Sequence, residues 1–198
     1  MKNEKGFTLI ELIAVVVILA VIMLIAVPNV VTTINKNKKE TFIEDAKKFK
    51  AAVEAKITTD TSIEYPNTES VLVFKLKQVG KNELDESPYG TKYAEDASWV
   101  AVAKESKTVT STESNGVQTK TYNQLVYYVH LVTCSTSDCN DEDVDARYGI
   151  NFDPLDNIGT SDRYNMVVQA EDVDMVGDIP TYVKAKLGNK VVKMYTKK

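Results

Sequence analysis

KGFTLIELIAVVVILAVIMLIAVPN, from Lys5 to Asn29, decides how the rest of this chain reads. A short charged tail ends at a small residue, Gly6. An apolar run follows, interrupted by one carboxylate, Glu11. From Leu12 to Thr33 no side chain ionises. A helix crosses a hydrocarbon core of ~30 Å with about 20 apolar residues, and Leu12–Val31 supplies them. A carboxylate in such a segment costs roughly 2.5–3.5 kcal/mol at the bilayer centre and less toward the interface. Glu11 therefore needs either the headgroup region or a partner. Two readings stay open on the residues alone. In one, the segment is a membrane anchor and Glu11 snorkels. In the other, the chain is cut between Gly6 and Phe7, and the new amine of Phe7 meets Glu11 of a neighbouring copy.

The order G-F-T-L-I-E-L, then an apolar run with Pro28 near its end, resembles a type IV prepilin. In that family a Gly precedes the cut, an aromatic residue follows it, and Glu is the fifth residue of the mature chain. Glu11 is fifth counted from Phe7. The resemblance covers about the first thirty residues. It implies cleavage after Gly6 by a prepilin peptidase, N-methylation of Phe7, and polymerisation into a helical homo-oligomeric fibre. It also implies an assembly ATPase and a membrane platform protein as partners, and Pro28 as a weak point in the fibre. The Lys- and Asn-rich leader is similar in style to prepilins of Gram-positive bacteria. A pseudopilin of a DNA-uptake or secretion machine shares the same segment. A single-pass anchored protein that never polymerises would keep its leader and tolerate loss of Glu11.

The expected division is a leader over 1–6, a long helix over 7–59 with its membrane and fibre-core segment at 12–31, and a globular head over 60–198 joined by the outer half of the helix. Lys2 and Lys5 precede the apolar run, so the positive-inside rule places the N-terminus in the cytoplasm and the head outside. After assembly the fibre would stand at the cell surface. No small-residue cleavage site follows the apolar region, unlike a secretory signal.

The 198 residues carry a formal charge of −4. Lys2 and Lys5 balance Glu4 and Glu11, so the excess belongs to the rest of the chain. That disfavours general nucleic-acid binding, which needs a basic footprint. The two cysteines, Cys134 and Cys139, lie in CSTSDC. Outside the cell they suit a disulfide that pins one turn, with free thiols as the alternative. A zinc site would need further ligands that are not evident.

Helical periodicity continues past Pro28. Ile34, Phe42, Ala46, Phe49, Val53 and Ile57 recur mostly at spacings of three and four, an apolar stripe on an amphipathic helix. One helix from near Phe7 to near Thr59 would be ~80 Å long at 1.5 Å per residue. Its first half is apolar on every side and its second half on one. Pro28 removes a backbone donor and predicts a kink. ESVLVFKLKQVG fits a strand through Leu72, Phe74 and Leu76, or a helix through Leu72, Leu76 and Val79. A short helix is expected here, because ESPYGTKY resembles the turn that ends one in related pilins. Ser98–Ala103 and Leu125–Val132 are rich in β-branched and aromatic residues. Asn115-Gly116 between them is a strong hairpin signal. Arg147–Phe152 suits a third strand, and TYVKAKL, Gly188-Asn189, KVVKMYT a closing hairpin whose first arm alternates wet and dry. The expected fold class is α+β, a long N-terminal helix whose first half is transmembrane and whose outer half packs on a C-terminal antiparallel sheet.

Chemistry is sparse. His130 is the one histidine, without a nucleophile or metal cluster in sequence, and reads as structural. No phosphate loop, triad order or zinc spacing appears, so no enzyme, cofactor or metal is expected. Asp138, Asn140, Asp141, Glu142, Asp143, Asp145, Asp153, Asp156 and Asp162 could ligate calcium, but the stretch lacks the glycine and terminal glutamate of an EF-hand and reads as a solvated loop. Lys184, Lys186, Lys190, Lys193, Lys197 and Lys198 make the C-terminus basic. They suit solvent first, then an acidic patch on an adjacent subunit, and DNA least.

Overall fold

A computed structural model describes residues 6–79, 84, 86–113, 116–134, 139, 148–155, 163–169, 172–174, 176–196. The chain forms two compact units, Met1–Lys38 and Lys39–Lys198. Helix α1 runs unbroken from Leu9 to Thr59 with Pro28 inside it. In the first unit it is exposed on every face through Ile34, and it is long and apolar enough to cross a membrane.

In the second unit the same helix becomes one-sided. Phe42, Ile43, Ala46, Phe49, Val53 and Ile57 are buried against the sheet. Ile34, expected in that stripe, is 47 % exposed and belongs to the bare part. Five strands follow one another as antiparallel neighbours: β1 (Ser70–Lys75), β2 (Trp99–Glu113), β3 (Gly116–Val132), β4 (Tyr148–Pro154) and β5 (Val167–Gln169). β6 (Val191–Met194) adds to the other side of β1 in parallel, giving the order β5-β4-β3-β2-β1-β6.

Three sequence expectations change here. The segment around Leu72 is a strand, and among the described residues here Leu76–Val79 is helical (α2). Val71 and Val73 enter one core while Leu72 and Phe74 enter the other. A central strand buried on both faces loses the alternation that marks a half-buried one. The C-terminal hairpin is absent. Ile179–Leu187 is a helix, α3, and KVVKM contributes one parallel strand. Ile179, Val183 and Leu187 are four apart, so they align on one helical face as readily as Val183, Ala185 and Leu187 alternate on a strand. Pro180 in the first turn fits a helix start. Gly188, at φ +79, ends it. Third, the sheet is covered on both faces. α1 lies on one, and α3 on the other through Ile179 and Val183 against Val71, Val73, Trp99, Ala101 and Ala103.

The β2–β3 hairpin is longer than its apolar cores suggested. Its ladder runs from Trp99↔His130 to Glu113↔Gly116. The turn, with Asn115, lies outside the described residues. β1 accompanies β2 only through Ala103, and β4 accompanies β3 only from Tyr128. Beyond them the ribbon is wet on both faces, and Thr108 and Thr121 share a 3.1 Å hydroxyl contact across it.

Cys134 and Cys139 are bonded in the structure, with their Cα atoms 5.3 Å apart. A loop this short gives about 2 kcal/mol by chain entropy. Urea melts of the detergent-solubilised chain with and without reductant should differ by about that amount.

Candidate functional site

The segment expected to be processed is exposed and irregular. Gly6, Phe7 and Thr8 precede the helix, and Phe7 is 92 % exposed. A Cβ at Gly6 would meet nothing within 4 Å. Any restriction to a small residue there must come from whatever grips the bond.

Glu11 is not left alone in the structure. Its carboxylate accepts from the backbone N–H of Thr8 at 2.8 Å and from the Thr8 hydroxyl at 2.7 Å. The N–H of Glu11 points back to Thr8 Oγ1 at 3.4 Å. This is a reciprocal cap: Thr and Glu three apart satisfy donors that a helix start leaves unpaired. The sequence reading treated Glu11 as a charge that snorkels to the headgroups or meets a neighbour's amine, and not as a cap. The signal for its second role was present, since Thr followed three residues on by Glu before an apolar run is a helix-start pattern. Thr8 is thus the functional residue that reading missed. The cap aims the carboxylate at the backbone of Thr8, one residue from the Phe7 nitrogen.

Around Pro28 the helix is unbroken, though the missing N–H leaves the carbonyl four residues back, on Leu24, without its usual donor. The polar side chains that end the apolar run turn inward on the same helix. Asn29 Nδ2 donates to Ile25 O at 3.1 Å, Thr32 Oγ1 to Pro28 O at 2.9 Å and Thr33 Oγ1 to Asn29 O at 2.9 Å. Such back-bonds satisfy polar groups where lipid offers none, and they favour helix bending.

The remaining candidates do not join this site. His130 is buried on β3, 1 % exposed, and burial pushes its pKa down to about 4. The basic C-terminus is dispersed. Lys184 and Lys186 sit in the last turn of α3, while Lys193 is held by Glu64 at 2.6 Å. Lys197 and Lys198 lie outside the described residues. So do Asp138, Asn140, Asp141, Glu142, Asp143, Asp145, Asp156 and Asp162 of the acidic stretch. Asp153 is described, on β4, its carboxyl pushed up by burial. Among the described residues no three His, Cys, Asp or Glu side chains gather as a metal site.

Asp45 is a buried acid that the periodicity did not reveal. At 5 % exposure it accepts from Tyr93 Oη at 2.7 Å and pairs with Lys48 Nζ at 3.0 Å. Burial first, and Asp45 second, push the Tyr93 hydroxyl's pKa up.

Residues 1–27 match the family model described as "Prokaryotic N-terminal methylation motif", the signature of type IV pilins. No curated protein matches the chain, and no solved structure does. The motif is of the kind that precursors of type IV pilins and pseudopilins carry. The apolar helix and the motif together fit a precursor anchored in a membrane.

Proposed function

We propose that this chain is a structural subunit of a type IV pilus, inserted in the membrane as a precursor and then polymerised through its N-terminal helix. The observation that carries the reading is the methylation motif over residues 1–27, set on a helix whose first part, through Ile34, is apolar and bare on all faces. A bare apolar helix needs lipid or other copies of itself around it. A fibre core supplies the second, so leaving the membrane need not expose the helix to water.

In this reading a prepilin peptidase hydrolyses the Gly6–Phe7 bond. Gly6 keeps the carboxylate, and Phe7 gains an amine that methylation leaves basic. An incoming subunit's amine then meets Glu11 of a neighbour. Two charges that each resist the low-dielectric core enter it as a pair. An assembly ATPase and a platform protein drive the addition. The head, with its long β2–β3 ribbon, coats the fibre and sets what it touches, in adhesion or motility. That large head supports the pilus over the pseudopilus of a secretion or DNA-uptake machine. The precursor would cross the membrane once, N-terminus inside.

Mass spectrometry of the mature chain tests this first. The expected N-terminus is methylated Phe7, lighter by Met1–Gly6. An intact leader would remove the reading. Electron microscopy of sheared surface filaments, probed for this chain, should then show it along the fibre.

A further inference from the structure

β3 carries the chain's one histidine into a box of aromatic rings on the α3 side of the sheet. The His130 ring stacks on Trp99 with centroids 5.1 Å apart, and Tyr182 of α3 covers it at 6.4 Å. Phe152 of β4 closes the box against Trp99 at 5.1 Å and Tyr182 at 5.8 Å. Two polar ring atoms, Nδ1 of His130 and Nε1 of Trp99, are buried there without a hydrogen-bond partner among the described residues. The Tyr182 hydroxyl donates outward to Asp174, on the segment leading into α3. Asp174 is itself positioned by Asn151, whose Oδ1 accepts its N–H at 2.9 Å. Its charge acts on His130 and favours the protonated ring.

A neutral imidazole can leave Nδ1 as a bare acceptor. An imidazolium has two N–H donors, and among the described residues the box offers Nδ1 no acceptor. The walls differ in strength. Trp99, His130 and Phe152 belong to β2, β3 and β4, each paired on both sides. α3 has nine residues and rests on side chains alone, so it is the wall that opens first.

We propose that His130 is an acid-operated latch on α3: a proton taken from water onto the ring draws Asp174 from the Tyr182 hydroxyl to the imidazolium and releases the helix. Tyr182 keeps its own proton and turns to solvent. Other groups facing the box act as follows. On α3, Lys186 lies 5.4 Å from the Tyr182 ring centroid and opposes a new cation. On β4, Asp153 is pushed up by burial and pulled back by Lys186. On β3, Tyr128 donates to Glu105 of β2 at 2.6 Å. On β1, Lys75, opposite Trp99, is engaged by Asp96 at 3.5 Å. Release would uncover Val71, Val73, Ala101 and Ala103, an apolar patch present only in acid. The latch belongs to the head and stands whether or not the chain forms a fibre.

The sign follows from the ring's position. Its folded pKa lies below the ordinary 6.5, at about 4, so the closed form is complete above that ordinary value and weakens as pH falls toward 4. With those limits, opening at pH 4.5 exceeds that at pH 7.5 by roughly 70-fold. Hydrogen–deuterium exchange of the full chain in detergent micelles, normalised to unstructured peptides at each pH, reads it. The expected result is at least tenfold faster exchange over Ile179–Leu187, with β2 and β3 still protected. Trp99 is the one tryptophan, and its emission should titrate reversibly over the same range. His130→Phe keeps the stacked ring and should abolish both responses. Asp174→Asn should move the emission midpoint to lower pH. Unchanged protection of α3, opening of all strands together, or a His130→Phe chain that responds like wild type would each overturn the latch.

Discussion

Glu11→Gln should leave the precursor inserted and cut at Gly6, yet reduce surface fibres by tenfold or more. The substitution separates the capping that the geometry shows for this residue from the charge pairing proposed for it. Glutamine still accepts from the Thr8 N–H and hydroxyl, so the helix start survives. What disappears is the negative charge that a neighbour's Phe7 amine would meet. Thr8→Val makes the opposite cut. It removes the hydroxyl that bonds Glu11 at 2.7 Å and keeps the charge. A lost cap is worth about 0.5–2 kcal/mol, felt at one frayed turn, so a moderate fall in fibre yield is expected. Quantitative shearing and immunoblotting, with membrane fractionation as the control, rank the two. Wild-type fibre yield from Glu11→Gln would leave capping as the residue's whole purpose. The amine–carboxylate pairing would then have to be abandoned.

The N-terminal third of the chain was legible because one interaction governs it. An all-apolar run admits few environments, and Gly6, Phe7, Glu11 and Pro28 are spaced by covalent distance alone. The outer half of α1 was legible for a related reason. Phe42, Ala46, Phe49 and Val53 each face the sheet every turn, and nothing else competes for that face. Asp45 was invisible. Its burial depends on Tyr93, 48 residues away in sequence, and local periodicity cannot report a distant hydroxyl. The same limit explains β1. Val71 to Phe74 carry no strand alternation because both faces of the sheet are covered, and that follows from where α3 lands. The α3 segment itself satisfied two periods at once. Tertiary placement decided between them, since Ile179 and Val183 bury one helical face against Val71, Val73, Trp99, Ala101 and Ala103. At Glu11 the membrane cost of a carboxylate, roughly 2.5–3.5 kcal/mol at the bilayer centre, is the larger effect and overshadows the local one. The cap beside it is worth less, yet it fixes where the carboxylate points.

Phe49→Ala should be among the most damaging single truncations on the outer half of α1, while truncation of an apolar side chain nearer the N-terminus should leave the head's stability untouched. Phe49 is fully buried between the helix and the sheet. Deleting a buried phenyl ring typically costs about 3–5 kcal/mol, part transfer and part unfilled cavity. For a unit of this size that lowers the melting temperature by roughly 10 °C. Ile18→Ala removes three carbons from a residue that is 59 % exposed, so the folded head gains no cavity from it. Its effect should appear in membrane insertion and fibre yield. Melting of the detergent-solubilised chains, followed by circular dichroism, distinguishes them. If both variants melted like wild type, the outer half of α1 would not be part of the head's core. If Ile18→Ala lowered the melting temperature as far as Phe49→Ala, the bare half of the helix would have to be supporting the sheet. The division of labour along one continuous helix, apolar all round where copies must meet and one-sided where it holds its own domain, would then fail.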